Sequence, residues 1–204
     1  MTRKGIIDKI TSLGSRADVW DTILHPEKEH SSKIRLRLQR MKEWGTTTAA
    51  PTLMYLLEQR RSGAATIPQV ARAMVYLESY FVRRVVVGRA TMNMNRVLMD
   101  APRRLQEDER PVDVALRAHL SGEGKHWAPD HELLALATSK PFYNHGRAHQ
   151  KRLVLRWIEE AMHSHEDVLD PDLTVEHVMP QTLTPDWRAE IRREMASGET
   201  VSRL

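Results

Sequence analysis

An acidic residue and a histidine stand side by side near the end of the sequence, as Glu176 and His177 in LTVEHVMPQTLTPDW, residues 173 to 187. A carboxylate can bind a hard divalent cation, and an imidazole can move a proton near neutral pH. Adjacent side chains on an ideal strand point to opposite faces of the sheet. The pair can therefore serve one site only where the strand ends and the chain bends. Pro180 favours such a bend. From the residues alone, an exposed pair on an edge strand is the commoner case and stays open.

Two further groups of histidines could contact a ligand. His163 and His165 lie beside Glu166 and Asp167, which could form a metal cluster, but a histidine pair in a polar linker is more often solvated. In YNHGRAHQKR, residues 143 to 152, two histidines share a helical face with basic residues that could contact phosphate. A solvated helix start is the alternative for this second group, whose residues are His145, Arg147, His149, Lys151 and Arg152.

Three arginines lie close together in FVRRVVVGRAT, residues 81 to 91. Arg83, Arg84 and Arg89 could clamp a phosphate backbone, or they could tie neighbouring helices to acidic side chains. Both interpretations stay open. Together with Arg147, Lys151 and Arg152 they form the set of possible DNA-binding residues.

The composition favours a helical protein of one or two domains. The 204 residues include no cysteine, which excludes disulfides and thiolate zinc sites, and aromatic residues make up only 5%. No apolar run approaches the roughly 20 residues needed to cross a bilayer, and no secretory signal begins the chain, so we expect a cytoplasmic protein without membrane contact. Residues 1 to 100 carry 17 Lys and Arg against 9 Asp and Glu. This basic half could meet a polyanion, or its cations could simply solvate helix faces.

Apolar spacing predicts the helices that would position these side chains. The clearest begins with a capping box of Thr66 and Gln69 and ends near Gly88, with one apolar face at Ile67, Val70, Met74, Leu77, Phe81 and Val85. We predict a second long helix over 147 to 162, with Leu153, Val154, Trp157, Ile158 and Ala161 on its apolar face. Shorter helices are predicted over 52 to 61, 92 to 105, 112 to 120 and 186 to 196, and also over 33 to 44, where a strand is the alternative. We expect the core to contain Trp44, Trp127, Trp157 and Trp187, together with Met92, Met94 and Met99.

The run VEHVMPQ resembles the first half of an HNH (ββα-metal) nuclease motif. With Gln181, Leu183 and Trp187 it is similar to the C-terminal region of GmrSD/SspE-like modification-dependent restriction enzymes. The segments starting at Tyr76, Pro129 and Lys151 (YLESYFVRRVVVGRATMNMNRVL, PDHELLALATSKPFY and KRLVLRWIE) are similar to the helical region of that family. The resemblance therefore covers roughly residues 70 to 190.

This resemblance implies a mainly α fold, with a multi-helix domain over residues 1–165 and the first part of a small ββα-metal unit over 166–204. It implies a metal-dependent endonuclease that cleaves or nicks DNA in defence against foreign DNA, with His177 as general base and Glu176 as ligand of a divalent metal such as Mg²⁺. The alternative is a non-catalytic helical module that binds DNA or protein.

Two departures from the family pattern predict that the chain is a fragment. The sequence ends at Leu204, before the glycine-asparagine-leucine turn and the helix that complete the metal site in the family. The N-terminal nucleotide-binding sensor half of the family is also absent. We therefore expect the nuclease site of this chain to be incomplete and the fragment to be inactive.

Overall fold

The structure, a computed structural model, describes residues 3–89, 93–139, 142, 146–162 and 182–196, without the side chains of residues 3–10, 12 and 196. These residues form nine α-helices and no β-strand, which confirms a mainly helical fold. The helices are α1 (Arg3–Leu24), α2 (Ser32–Trp44), α3 (Ala50–Arg61), α4 (Ile67–Val86), α5 (Met94–Gln106), α6 (Val112–Ser121), α7 (Asp130–Ser139), α8 (Ala148–Met162) and α9 (Pro185–Ala196).

The chain divides into two compact units, residues 1–162 and residues 163–204. The first unit contains α1 to α8, and the described part of the second is α9 with the three residues before it. Glu176 and His177, and with them the predicted opening strand of the ββα-metal unit, lie outside the described residues. None of the described helices is both long enough and apolar enough to cross a bilayer.

Helix α4 is the central helix of the first unit. The predicted capping box is present: the Thr66 hydroxyl accepts a hydrogen bond from the Gln69 backbone N–H at 3.4 Å, and the Thr66 backbone N–H donates to the Gln69 side chain at 2.8 Å. Pro68 occupies the first turn, where a missing N–H costs nothing. The apolar face packs between α2, α3 and α6, and its buried residues include Val70, Met74, Leu77 and Phe81.

Residues 33 to 44 form a helix rather than the alternative strand. Ile34, Leu38, Met41 and Trp44 are buried along one face of α2, whereas Leu36 is exposed. This is helical periodicity: a strand would have placed Ile34, Leu36 and Leu38 on the same face.

Helix α8 packs against α2 through aromatic and charged contacts. The rings of Trp157 and Trp44 stack with centroids 5.8 Å apart, and the Arg40 guanidinium lies 5.0 Å from the Trp157 ring. Arg40 also pairs with Glu160, and Arg156 pairs with Glu43. These contacts fix the face that α8 presents to solvent.

Several sequence-based expectations about the core were wrong. Trp187 and Met99 are exposed, although both were expected in the core, and Ile158 is half exposed although it was placed on the apolar face of α8. Leu153 and Val154 of that face are buried, as predicted. Met99 is exposed because the buried face of α5 is formed by other residues, Val97, Leu98, Ala101 and Leu105.

Candidate nucleic-acid interface

The last turn of α4 and the residues directly after it hold the first group of predicted DNA-binding arginines. Gly88 has a positive φ of 68°, and its N–H donates to the Val85 carbonyl at 3.1 Å, while the Arg89 N–H donates to the Arg84 carbonyl at 2.9 Å. This pair of bonds is a Schellman motif, which satisfies the end of a helix and turns the chain sharply. It fixes the point from which the Arg89 side chain leaves the helix.

The Arg83 side chain contacts the segment that joins α6 to α7. Its Nη1 donates to the Ala128 carbonyl at 2.7 Å, its Nε donates to the Ser79 hydroxyl at 2.9 Å, and its Nη2 pairs with the Asp130 carboxylate. The guanidinium carbon also lies 5.0 Å from the centroid of the Trp127 ring. All three nitrogens of this guanidinium therefore have acceptors within the chain.

Arg84 is almost completely buried, with 3% of its surface exposed. Its Nη1 donates to the Tyr80 hydroxyl oxygen at 2.9 Å and to the Lys125 carbonyl at 3.2 Å. The Tyr80 hydroxyl donates to the same carbonyl at 2.6 Å. Burial raises the pKa of Tyr80, and the adjacent guanidinium partly opposes that shift. The three groups form a buried polar network between α4 and the segment before α7.

Arg89 completes this set of contacts at the start of α7. Its Nη1 donates to the Trp127 carbonyl at 2.7 Å, and its Nη2 lies 2.6 Å from both carboxylate oxygens of Glu132. The two terminal nitrogens of the guanidinium reach the carbonyl and the carboxylate at the same time, which the single ammonium nitrogen of a lysine could not do in the same way. The three arginines thus make the contacts expected of the alternative in which they tie neighbouring helices together.

Sequence reasoning did not single out Arg117 of α6, which belongs to the same region. Its guanidinium carbon lies 3.9 Å from the Trp127 ring centroid and 5.9 Å from that of Tyr76. Trp127 in turn stacks on Tyr80, with the centroids 6.2 Å apart. We call Arg83, Arg84, Arg89 and Arg117, with the rings of Tyr80 and Trp127, the arginine–aromatic cluster. Only the three-dimensional fold could reveal Arg117, because 28 residues or more separate it from the other arginines.

The second predicted group lies at the start of α8. Arg147 precedes the first residue of the helix and Arg152 follows one turn later, and both side chains are exposed, whereas Lys151 is half buried. The Gln150 side chain accepts a hydrogen bond from the Arg147 backbone N–H at 3.1 Å. Ring nitrogen Nε2 of His149 lies 3.2 Å from the Trp44 carbonyl oxygen. The start of the helix is therefore held while its two arginines extend into solvent.

The two groups lie near the same end of α4. Gly146 has a φ of 71°, and a Cβ atom at this position would approach Cγ1 of Val85 to 2.8 Å. Only a residue without a side chain allows such a close approach in this backbone conformation. Because Val85 belongs to the last turn of α4, the chain enters α8 directly beside the arginines of that turn.

The remaining candidates for chemistry fall outside the described residues. His145, His163, His165, Glu166 and Asp167 belong to this set, as do Glu176 and His177. Among the described residues, no group of three or more His, Asp or Glu side chains is arranged to hold a metal ion. Comparisons of the chain with protein-family models, with curated proteins and with solved structures find no match.

Proposed function

We propose that this chain is part of a metal-dependent DNA endonuclease of the HNH type, in which the helical unit binds the duplex and residues 173 to 187 begin the nuclease motif. The proposal is carried by the run VEHVMPQ, in which Glu176 and His177 precede a proline. It is supported by the helix that follows this run, α9, and by the mainly helical fold of the preceding residues.

In this proposal each residue of the pair has its own task. His177, as a neutral imidazole, accepts a proton from the water that attacks the phosphodiester. Glu176 is a ligand for a divalent cation, which supplies charge neutralisation at the phosphate. Modification-dependent restriction of foreign DNA is the biological role that the family resemblance suggests for this activity.

DNA contact in this proposal is assigned mainly to the start of α8. The exposed side chains of Arg147 and Arg152 can approach a phosphate without breaking a hydrogen bond observed in the structure. Each such contact releases condensed counterions, so affinity should fall steeply with salt. The binding should be largely independent of sequence, because phosphates carry no base identity.

A nicking assay tests the catalytic part of the proposal. The full-length protein that contains this chain should nick supercoiled DNA in Mg²⁺, and His177→Ala should reduce the rate by a factor of about 100 or more. The matched control is His30→Ala, an exposed histidine that precedes α2, which should nick at the native rate. Equal nicking by the native protein and His177→Ala would contradict the catalytic assignment.

A non-catalytic DNA-binding module is the second candidate function. It is favoured by one observation, that the exposed arginines of α8 lie in the first unit and do not depend on Glu176 or His177. This candidate predicts salt-sensitive DNA binding by residues 1–162 and no Mg²⁺-dependent nicking by the full-length protein that contains this chain. The same assay therefore separates the two candidates.

A further inference from the structure

One face of helix α1 is held against the rest of the first unit. Val19 is fully buried and Thr22 is nearly so. From α3, the Arg61 guanidinium donates to the carbonyls of Ser15 and Asp18, at 3.5 Å and 3.4 Å. The C-terminal half of α1 therefore has a fixed orientation, with its core-facing side defined by these residues.

The opposite face of α1 is apolar and exposed. Leu13, Trp20 and Leu24 are 67%, 39% and 45% exposed, and Ala17 between them is also exposed. At 3.6 residues per turn these four positions lie on the side of the helix opposite the buried Thr22. Large apolar side chains left in water on one continuous face indicate an interaction surface.

The spacing on this face is that of a coiled-coil seam. The exposed apolar positions alternate by four, three and four residues, and the sequence continues the same alternation toward the N-terminus with Ile6 and Ile10. An apolar repeat of this kind over about three heptads favours pairing with another helix that carries the same repeat. A stripe facing a globular core would be broader and less regular.

We propose that α1 pairs in parallel with α1 of a second copy of this chain. The charges that flank the seam are complementary to themselves in this arrangement. Arg16 and Asp21 lie on opposite edges of the stripe and five residues apart, which is the separation that a parallel pair brings together across the seam. In a two-fold dimer, Arg16 of each chain would face Asp21 of the other.

The same charges disfavour the antiparallel arrangement. Antiparallel helices bring each edge of the seam against the same edge of the partner, so that Arg16 would meet the edge that carries Lys9 and Arg16 and could not reach Asp21 of the partner. Within the chain, Arg16 lies 3.5 Å from Glu58 and Asp21 lies 2.6 Å from Lys28. These are exposed ion pairs, which contribute little and can be exchanged for contacts across the dimer.

The side chains of the seam also fit this pairing. The 22 residues of α1 span about 33 Å, which is long enough for three heptads. Along the seam, Ala17 is the apolar position next to Trp20. Its small side chain leaves space for the two indole rings of a dimer. Since the core already fixes the C-terminal half of the helix, less ordering is required when the two chains meet. The surface is independent of the proposed nuclease function.

Sedimentation equilibrium of the full chain tests the pairing. The native chain should show twice the monomer mass at high concentration, and Leu13→Glu or Trp20→Glu should raise the dissociation constant by a factor of about 100 or more, because each dimer would bury two carboxylates. The control for Leu13→Glu is Leu134→Glu on α7, because the exposed fractions of the two native leucines are similar, 67% and 69%. A native chain that stays monomeric, or equal weakening by Leu134→Glu, overturns the proposal.

A charge exchange tests which residues meet. Arg16→Glu and Asp21→Arg should each weaken the dimer, because each places like charges across the seam, and the double variant should restore the native dissociation constant. An additive loss in the double variant overturns the assigned contact. Thermal unfolding should show similar midpoints for all variants at low concentration, since both side chains are exposed and away from the core.

A single cysteine tests the direction of pairing. The sequence contains no cysteine, so Leu24→Cys introduces a unique thiol on the seam. In the parallel dimer the two residues at position 24 face each other and should form an intermolecular disulfide under mild oxidation, whereas Leu134→Cys should not. A native dimer that gives no disulfide at position 24 overturns the parallel arrangement.

Discussion

The arginine–aromatic cluster and the start of α8 use the same residue type in opposite ways. In the cluster, guanidinium groups donate to main-chain carbonyls, pair with Asp130 and Glu132, and lie against aromatic rings. At the start of α8, Arg147 and Arg152 are exposed. The guanidinium groups of the cluster are engaged in contacts that stabilise the fold, whereas the exposed guanidinium groups at the start of α8 can meet a ligand.

The strongest test of this contrast is the loss of the buried guanidinium in Arg84→Ala. The variant leaves a buried cavity, and it removes the donor to the Tyr80 hydroxyl oxygen and the Lys125 carbonyl. We expect the free energy of unfolding to fall by about 2 kcal/mol, measured by urea denaturation. Arg152→Ala should change it by less than about 0.5 kcal/mol. Similar losses in both variants would remove the distinction between the two regions.

The next largest effect should be on DNA affinity. The double variant Arg147→Glu, Arg152→Glu should weaken binding to a short duplex about tenfold or more. The slope of the logarithm of the binding constant against the logarithm of salt concentration should also become shallower, by about one for each lost phosphate contact. The charge-matched control is Arg103→Glu, Arg104→Glu, because these arginines on α5 are also exposed but already pair with Asp100 and Glu107. If the control weakens binding equally, net charge rather than position explains the effect.

A conservative substitution in the cluster should have a smaller effect. Arg89→Lys keeps the charge but cannot contact the Trp127 carbonyl and the Glu132 carboxylate together as the guanidinium does. We expect a loss of about 1 kcal/mol in the free energy of unfolding. Arg152→Lys should leave the free energy of unfolding unchanged. If Arg89→Lys also leaves it unchanged, a positive charge alone is sufficient beside the Trp127 carbonyl and Glu132.

The smallest effect concerns pH and a histidine outside both regions. Burial lowers the pKa of His119, whose Nε2 lies 2.9 Å from the Val97 carbonyl oxygen. The folded state therefore binds this proton less readily than the unfolded state, so stability is lost as the pH falls below the unfolded pKa of about 6.5. In His119→Gln the free energy of unfolding should decrease less between about pH 7 and pH 5 than it does in the native protein. An unchanged slope would contradict the assignment.

The sequence was sufficient to predict the elements whose signals are local. The start of α4 was predicted from Thr66, Pro68 and Gln69 and its end from Gly88, because caps depend on residues a few positions apart. Helix α2, for which a strand was the alternative, was predicted from the spacing of Ile34, Leu38 and Met41. The GmrSD/SspE-like resemblance and the roles of Glu176 and His177 stay predictions.

The features that sequence reasoning missed depend on contacts between distant residues. The exposure of Met99, Ile158 and Trp187 could not be predicted, because an apolar residue is buried only where another element covers it. Whether Arg84 faced a ligand or the core was likewise decided by the segment at Lys125, about 40 positions away. Arg117 was missed for the same reason.

The two caps of α4 also affect which backbone amide protons are protected from exchange with solvent. Both ends of this helix are stabilised by residues within or next to it, so the helix can begin to form before its partners arrive. Its middle is then covered by α2, α3 and α6. Amide protons in the centre of α4 should therefore exchange with solvent only on global unfolding, while those of α7, which has no buried residue, should exchange through local opening.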